Sequence, residues 1–327
     1  MKRTFFGLAL SAMLFALCLP AEAQHPTKAP RIGFLNANSP STIAARLEAF
    51  RHGLRELGYV EGKNIVVEYR WAEGKIERLP DLATELVRLK VEVIVTASST
   101  VTRAAKDATS TIPSVMANDN DPAGNGFVAS LARPGGNITG LSTLYPEISG
   151  KRLELLKEII PKLSHVAVFG TSTQPGNAQL LREVELAAGA FGVRPQYLDV
   201  LDPRDIETAF RAASKEHADT ILVLTSPVLF SQRAQIAELA VKSRLSAIYA
   251  NVEYVDAGGL MSYGVNITDL YRRAATYVDK ILKGRKPADL PVEQPKKFEF
   301  IINLKAAKQI GLTIPPNVLA RADRVIK

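Results

Sequence analysis

The chain of 327 residues is too long for one ordinary hydrophobic core and suits two lobes. Its content of 46% hydrophobic and 23% charged residues is typical of a globular protein, and its one cysteine excludes an intrachain disulfide. The basic residues behind the net charge of +8 are dispersed and form no stripe interleaved with aromatic residues, so no nucleic-acid partner is expected.

The N-terminus has the pattern of a secretory signal peptide. Lys2 and Arg3 precede an uncharged, mostly apolar run, residues 5–19, and the small-x-small sequence Ala21-Glu22-Ala23 follows. We predict a signal peptide over residues 1–23 with cleavage after Ala23, and a periplasmic protein. This segment contributes one net positive charge, so the mature protein carries +7.

The N-terminus has two other interpretations, a membrane anchor and a lipid anchor. A membrane anchor needs roughly 20 apolar residues, whereas this run has about 15 and ends at Pro20. A lipid anchor on Cys18 would place Leu17 where lipidation signals have Gly or Ala. Cleavage after Ala23 would also remove the only cysteine, so no thiol chemistry is expected of the mature protein.

Beyond this segment, short β-rich runs alternate with amphipathic helical stretches. One helix is indicated by Ile43, Leu47, Phe50, Leu54 and Leu57, which recur at helical spacing. Nearly continuous apolar strands separated by such helices indicate parallel sheets that are covered on both faces. The predicted strands form two series, Arg31–Asn36, Asn64–Tyr69, Glu92–Ala97, Pro113–Ala117 and Ile138–Thr143, then His165–Gly170, Pro195–Val200, Thr220–Thr225 and Ala247–Asn251.

We therefore predict an α/β fold of two doubly wound parallel-sheet lobes joined by a three-stranded hinge. The first lobe is expected to hold residues 31–144 plus 254–288, and the second lobe residues 145–253 plus 296–327. In this arrangement the chain crosses back near Asn251–Tyr254, so the strand predicted at Gly259–Tyr263 would complete the first lobe.

The sequence offers no catalytic or metal-binding constellation. It contains no Gly-x-Ser-x-Gly, and the histidines after the signal segment are isolated, with no metal-ligand spacing. Residues 124–129 match the pattern of a dinucleotide site, but six residues separate them from the preceding predicted strand, whereas such a site follows its strand directly. Partial matches to a phosphate loop at 58–63 and a calcium loop at 119–121 lack required positions. We expect no enzyme, no metal and no cofactor.

Polar residues follow the predicted strands in both series. Ligands of open α/β sheets bind beyond the carboxyl ends of the strands, so these residues are candidates for a cleft between the lobes. Such residues are also common caps and loop residues, which is the alternative for each one taken singly. The candidate ligand-binding residues are Asn36, Ser98, Ser99, Thr100, Asp119, Tyr145, Thr171, Ser172, Ser226, Asn251 and Glu253.

Chemical roles follow from the residue types. Ser98–Thr100 stand at a predicted helix start, where free N–H groups and a partial positive charge suit a carboxylate. Asp119 or Glu253 would pair with an ammonium group, and Tyr145 would stack on an apolar or aromatic part.

Three blocks carry a family resemblance. They are residues 121–140 (DPAGNGFVASLARPGGNITG), residues 277–284 (YVDKILKG) and residues 298–316 (FEFIINLKAAKQIGLTIPP). The chain resembles ABC-transporter substrate-binding proteins with the type 1 periplasmic binding protein fold, some of them similar to tryptophan- and tyrosine-binding proteins.

This resemblance implies a ligand that is clamped between two lobes and delivered to the membrane permease of an ABC importer, but it does not supply the ligand. The polar strand ends with Tyr145 nearby suit a small molecule that is amino-acid-like or an aromatic or simple carboxylate. The resemblance also implies a monomer. A ligand-sensing module for a membrane receptor is a second possibility that the sequence does not separate from transport. An exported enzyme is a third possibility, but the sequence contains no nucleophile–base pair to support it.

Overall fold

The computed structural model describes residues 29–327, and the predicted signal peptide and its cleavage site lie outside these residues. Within residues 29–327, no helix combines the length and the apolar character that crossing a membrane requires. The chain forms two α/β lobes, each built on its own sheet.

The first lobe contains a five-stranded parallel sheet with the spatial order β2-β1-β3-β4-β5. The central strand β3 is buried along its whole length, while the edge strand β2 is half-buried, as expected for a sheet with helices on both faces. Its strands are β1 (Arg31–Asn36), β2 (Val66–Trp71), β3 (Val93–Ala97), β4 (Ser114–Asp119) and β5 (Ile138–Ser142). Its first three helices are α1 (Ala44–Glu56), α2 (Leu79–Arg88) and α3 (Ser99–Ala108), with a 3-10 turn at Ile76–Arg78.

The second lobe contains a seven-stranded sheet with the spatial order β12-β11-β10-β9-β8-β6-β7. Its strands are β6 (His165–Gly170), β7 (Arg194–Asp199), β8 (Thr220–Val223), β9 (Ser246–Tyr249), β10 (Met261–Gly264), β11 (Glu299–Asn303) and β12 (Arg324–Ile326). Its first helices are α4 (Tyr145–Ile159), α5 (Asn177–Phe191), α6 (Asp205–Lys215), α7 (Pro227–Ser231), α8 (Arg233–Lys242) and α9 (Val252–Asp256). The remaining helices of the described chain are α10 (Ile267–Leu282), α11 (Leu304–Ile310) and α12 (Pro316–Leu319).

The prediction of two doubly wound lobes is confirmed, with one local difference. Strands β10 and β11 pair antiparallel, whereas the other pairs of this sheet are parallel. The chain enters β11 after a long return segment from the first lobe, so it reaches the sheet from the opposite end.

One predicted boundary is wrong. Strand β10 pairs with β9, Met261 opposite Ile248, and therefore lies in the second sheet and not in the first lobe. The chain does not cross at Asn251–Tyr254, because these residues lead into the short helix α9 that connects β9 to β10. It crosses after Gly264, and β11 and β12 then return to the second sheet, the side to which residues 296–327 were assigned.

Helix α10 belongs to the first lobe, where it packs along α1 and against β3, β4 and β5. The contact with α1 is close at Gly53: a Cβ there would lie 2.3 Å from the carbonyl oxygen of Arg272. Phe34 and Phe50 are fully buried beside this contact, and Tyr271 of α10 lies against the Phe34 ring with centroids 6.4 Å apart. This packing fixes how α1 and α10 present their side chains to the other lobe.

Three segments connect the lobes: residues 143–144, 265–266 and 283–298. The third runs beside β5, where the Ser142 N–H donates to the Glu293 carbonyl at 2.9 Å and the Glu293 N–H donates to the Gly140 carbonyl at 3.0 Å. The lobes are therefore joined by two short segments and one longer segment that pairs with β5, which is the arrangement of a hinge.

Candidate functional site

A polar pocket lies between the lobes, where the carboxyl ends of strands from both sheets meet. Its space is about 550 Å³, counting the part that opens to solvent. Six carboxamide side chains form most of its polar wall: Asn36, Asn38, Asn118, Asn120, Gln174 and Asn251.

The wall from the first lobe is shaped by turns that follow β1 and β3. The Asn36 side-chain oxygen accepts the Asn38 N–H at 2.9 Å, which holds the turn after β1. Ser98 follows β3 with a left-handed backbone (φ 87°), and its N–H donates to the Asn118 carbonyl at 3.1 Å. A non-glycine residue in this conformation is costly, and such strain is concentrated at functional sites. The turn brings Ser98 and Asn118 to the same edge of the pocket.

The wall from the second lobe is organised around Tyr145. Its side chain is buried, and its hydroxyl accepts a hydrogen bond from the Asn251 amide at 3.0 Å. Burial raises the pKa of Tyr145 to about 12, so the phenol stays protonated and can donate to an acceptor in the pocket. Ser226 caps α7 by accepting the Leu229 N–H at 3.1 Å, which places the start of this helix on the pocket.

Arg46 of α1 is the charged side chain of the wall. It is 7% exposed, its Nε donates to Glu253 Oε1 at 2.6 Å, and its guanidinium carbon lies 4.1 Å from the centroid of the Phe230 ring. Burial acts to lower the pKa of Arg46, but the Glu253 carboxylate together with Tyr271 and Tyr145 more than offsets this, so the pKa lies above its ordinary value. Arg46 is therefore a permanent cation that connects the two lobes at the pocket.

Other contacts also cross between the lobes at the pocket rim. The Asn120 amide donates to Thr225 Oγ1 at 3.0 Å, and the Thr100 hydroxyl donates to the Gln174 side-chain oxygen. Together with the Arg46–Glu253 pair, these bonds hold the lobes closed over the pocket. A ligand inside it would touch both lobes at once.

Five of the predicted site residues line this pocket. They come from both lobes, at the ends of β1, β3 and β9 and at the starts of α4 and α7: Asn36, Ser98, Tyr145, Ser226 and Asn251. The strand-end argument thus found residues that the fold brings together, although they are far apart in the sequence.

Asp119 and Ser99 are not among the residues that line the pocket. Asp119 Oδ1 accepts from the Asn125 amide at 3.2 Å and from the Asp121 N–H at 3.2 Å, and the same Asn125 amide donates to Ser99 Oγ at 3.3 Å. Burial raises the pKa of Asp119 to about 7, against the effect of these hydrogen bonds. The expectation that Asp119 meets an ammonium group is not supported by this position.

Four further predicted residues have partners in the protein. Thr171 bonds to the Val200 carbonyl and to Ser226 Oγ, both at 2.8 Å, and supports the wall from behind. Ser172 is exposed and bonds to Asp199 at 2.6 Å. Thr100 belongs to the rim contact with Gln174, and Glu253 is the partner of Arg46.

Several residues of the pocket wall were not predicted from the sequence, and Arg46 is the most informative of them. It lies three residues after Ile43 and four before Phe50, on the apolar face of α1, and a cation in such a position is a detectable signal. The aromatic residues Phe230, Tyr254 and Tyr271 gave no such signal, because aromatic residues in helices usually belong to the core.

Within residues 29–327, no three His, Cys, Asp or Glu side chains are grouped in a way that would hold a metal ion. His165 illustrates this, since its Nδ1 lies 2.9 Å from the Glu216 carbonyl and serves a loop of the second lobe. The chemistry of the pocket is that of hydrogen bonding, one cation and aromatic faces.

The family described as ABC transporter substrate binding protein matches residues 36–326. A tyrosine-binding protein of Clostridioides difficile strain R20291 is 25% identical over 273 residues, which are 84% of this chain and 78% of the relative.

Two solved structures are similar over most of the chain. A conserved domain protein from Vibrio cholerae O1 biovar El Tor superposes with a TM-score of 0.86 at 30% identity, over 91% of this chain and 100% of that one. The ABC domain from Streptococcus pneumonia in complex with L-Trp superposes with a TM-score of 0.84 at 25% identity, over 91% of this chain and 99% of that one. With its two lobes, interlobe pocket and matched family, the chain belongs to the ABC transporter substrate-binding proteins.

Proposed function

We propose that this substrate-binding protein is exported by its N-terminal segment and acts in the periplasm as a monomer. There it captures a small molecule that is amino-acid-like or an aromatic or simple carboxylate, and delivers it to the permease of an ABC importer. The observation that carries the proposal is the pocket itself, whose wall combines carboxamides and Arg46 with the faces of Tyr145, Phe230 and Tyr254.

The ligand class is supported by the chemistry of this wall. Arg46 and the hydroxyls of Ser98 and Ser226 suit the oxygens of a carboxylate, while the aromatic faces suit an apolar or aromatic body. Relatives named for tyrosine binding or solved with L-Trp show that the fold accepts ligands of this size.

Capture follows from the hinge. A ligand that touches both lobes favours the closed form in proportion to its differential affinity for the two forms. Closure removes the ligand from water and strengthens its contacts with Arg46 and the carboxamides. A permease can then recognise the closed surface, whose population the bound ligand increases.

The proposal is tested by recovering the protein from the periplasm of cells that export it. Mass spectrometry under native conditions is expected to show a mature chain that starts at Gln24, as a monomer with one small organic acid or amino acid bound. A chain that retains Met1, or a purified protein that consumes the recovered molecule, would contradict export or binding respectively.

A further inference from the structure

The charge balance around the pocket restricts the ligand further. Among the described residues, the wall contains no Asp, Glu, Lys or His, and Arg46 is its one charged side chain. An ammonium group in the pocket would therefore meet no carboxylate in the wall. Glu253 does not fill this role, because its carboxylate is already paired with Arg46.

Arg46 retains hydrogen-bonding capacity although it is paired. Its Nε donates to Glu253 Oε1 at 2.6 Å, and its Nη2 lies at the same distance from the same oxygen but is not aligned to donate to it. The buried Nη2 group has no other acceptor in the structure. An anionic oxygen of a ligand would supply that acceptor.

A second buried cation lies behind the Tyr145 wall. Arg152 is fully buried, its Nε donates to the Tyr263 carbonyl at 2.8 Å, and its guanidinium carbon lies 4.9 Å from the centroid of the Tyr145 ring. It forms an ion pair with no carboxylate in residues 29–327, and its Nη2 has no hydrogen-bond acceptor. Burial lowers the pKa of Arg152 to about 10, which leaves it charged at neutral pH.

The pocket and its backing thus hold two guanidinium groups against the single carboxylate of Glu253. Asp119, which is buried but does not line the pocket, adds only part of a negative charge at neutral pH, since burial raises its pKa to about 7. An uncompensated buried charge is unfavourable, and charges act strongly on one another where water is excluded. One further negative charge in the pocket would improve this balance, and a positive one would worsen it.

The remaining unpartnered atoms of the wall can be satisfied by neutral groups of a ligand. They are Asn38 Oδ1, Asn118 Oδ1 and Ser98 Oγ, which are buried without a hydrogen-bond partner. A hydroxyl or an N–H group of a ligand satisfies an amide oxygen without bringing a charge. The pocket therefore has places for an anion, for neutral donors and for an apolar body.

We propose that the pocket selects a monoanionic carboxylic acid that has an aromatic or other apolar body and no free ammonium group. This rests on the proposed function and narrows its ligand class from amino-acid-like molecules and carboxylates together to carboxylates alone. Arg46 Nη2 receives the carboxylate, while the field of Arg152 through the Tyr145 wall opposes an ammonium group.

The test compares matched compounds on the purified wild-type protein by calorimetry. The pairs are tryptophan and indole-propionate, tyrosine and hydroxyphenyl-propionate, and phenylalanine and phenylpropionate, each acid also being measured as its uncharged amide. In each pair that binds, the acid is expected to bind at least about ten-fold more tightly than both the amino acid and the amide.

An amino acid that binds as tightly as its acid overturns the inference, as does a failure of all three acids to bind. Neither result overturns the proposed function, which is judged separately by the molecule recovered from the exported protein. A second measurement uses Arg152→Met, which is expected to reduce the ratio of acid to amide affinity at least about three-fold. The matched control is Lys151→Met, next to it on α4 but facing Glu154 at the surface; an equal reduction there would count against a role for Arg152.

Discussion

Replacement of Arg46 by glutamine is expected to weaken ligand binding by roughly 30- to 1,000-fold, or about 2–4 kcal/mol. The variant removes the charged side chain of the pocket wall and, at the same time, the ion pair with Glu253 that joins the lobes. In the closed form Glu253 would lose its partner, whereas in the open form water can replace it. The substitution therefore destabilises the closed, ligand-bound state more than the open state.

The affinity of the protein for its recovered ligand, measured by calorimetry, provides the comparison. Arg55→Gln is the matched control, because Arg55 lies on the same helix and pairs with Glu48 at 2.6 Å on the surface, where its side chain is 48% exposed. Surface pairs contribute little, so the control should change affinity less than about two-fold. Equal affinities for wild type and Arg46→Gln would show that Arg46 takes no part in the site.

The second large effect is expected on stability, from Gly53→Ala in the same helix. An alanine Cβ at this position would lie 2.3 Å from the Arg272 carbonyl oxygen and 3.0 Å from the Ala275 Cβ, so α1 and α10 would have to separate. Overpacking of this kind costs about 2–3 kcal/mol in the free energy of unfolding. Because α1 carries Arg46 and α10 carries Tyr271, the same shift should also weaken ligand binding.

Gly189→Ala provides the matched control for the glycine. Gly189 lies in α5, and a Cβ there would have no heavy atom within 4 Å. Alanine is favoured over glycine in an open helical position, so the free energy of unfolding of this variant should rise by about 0.5–1 kcal/mol. Chemical denaturation of the three proteins measures both effects. A destabilisation of similar size in both variants would mean that the close helix contact at Gly53 is not its cause.

Much of the fold could be predicted from the sequence, because its signals are local. Buried strands such as β3 and β6 are continuous apolar runs, and the helix around Leu47 and Phe50 repeats with a regular period. The sheet that a strand joins is not a local property. Strand β10 was assigned to the wrong lobe because its short sequence is compatible with either sheet, and only pairing with Ile248 and Tyr249 decides it.

The candidate site was predictable only in part, for a similar reason. Strand order places Asn36, Ser98 and Asn251 at one edge, and this follows from the sequence of β-α units. Whether a polar side chain turns to the pocket or to its neighbours is set by partners that are distant in sequence. Asp119 turns to Asn125, and Glu253 crosses to Arg46, which no spacing rule indicates.

Closure of the two lobes around a ligand is the central claim, and the distance between them tests it most directly. Spin labels can be attached to cysteines introduced at the exposed residues Lys75 and Arg204, since the mature chain is expected to have no cysteine of its own. Lys75 of the first lobe and Pro203 of the second, the neighbour of Arg204, line the same surface depression. Pulsed electron paramagnetic resonance should give a long, broad distance distribution without ligand and a short, narrow one with it. Identical distributions at saturating ligand would contradict capture by closure.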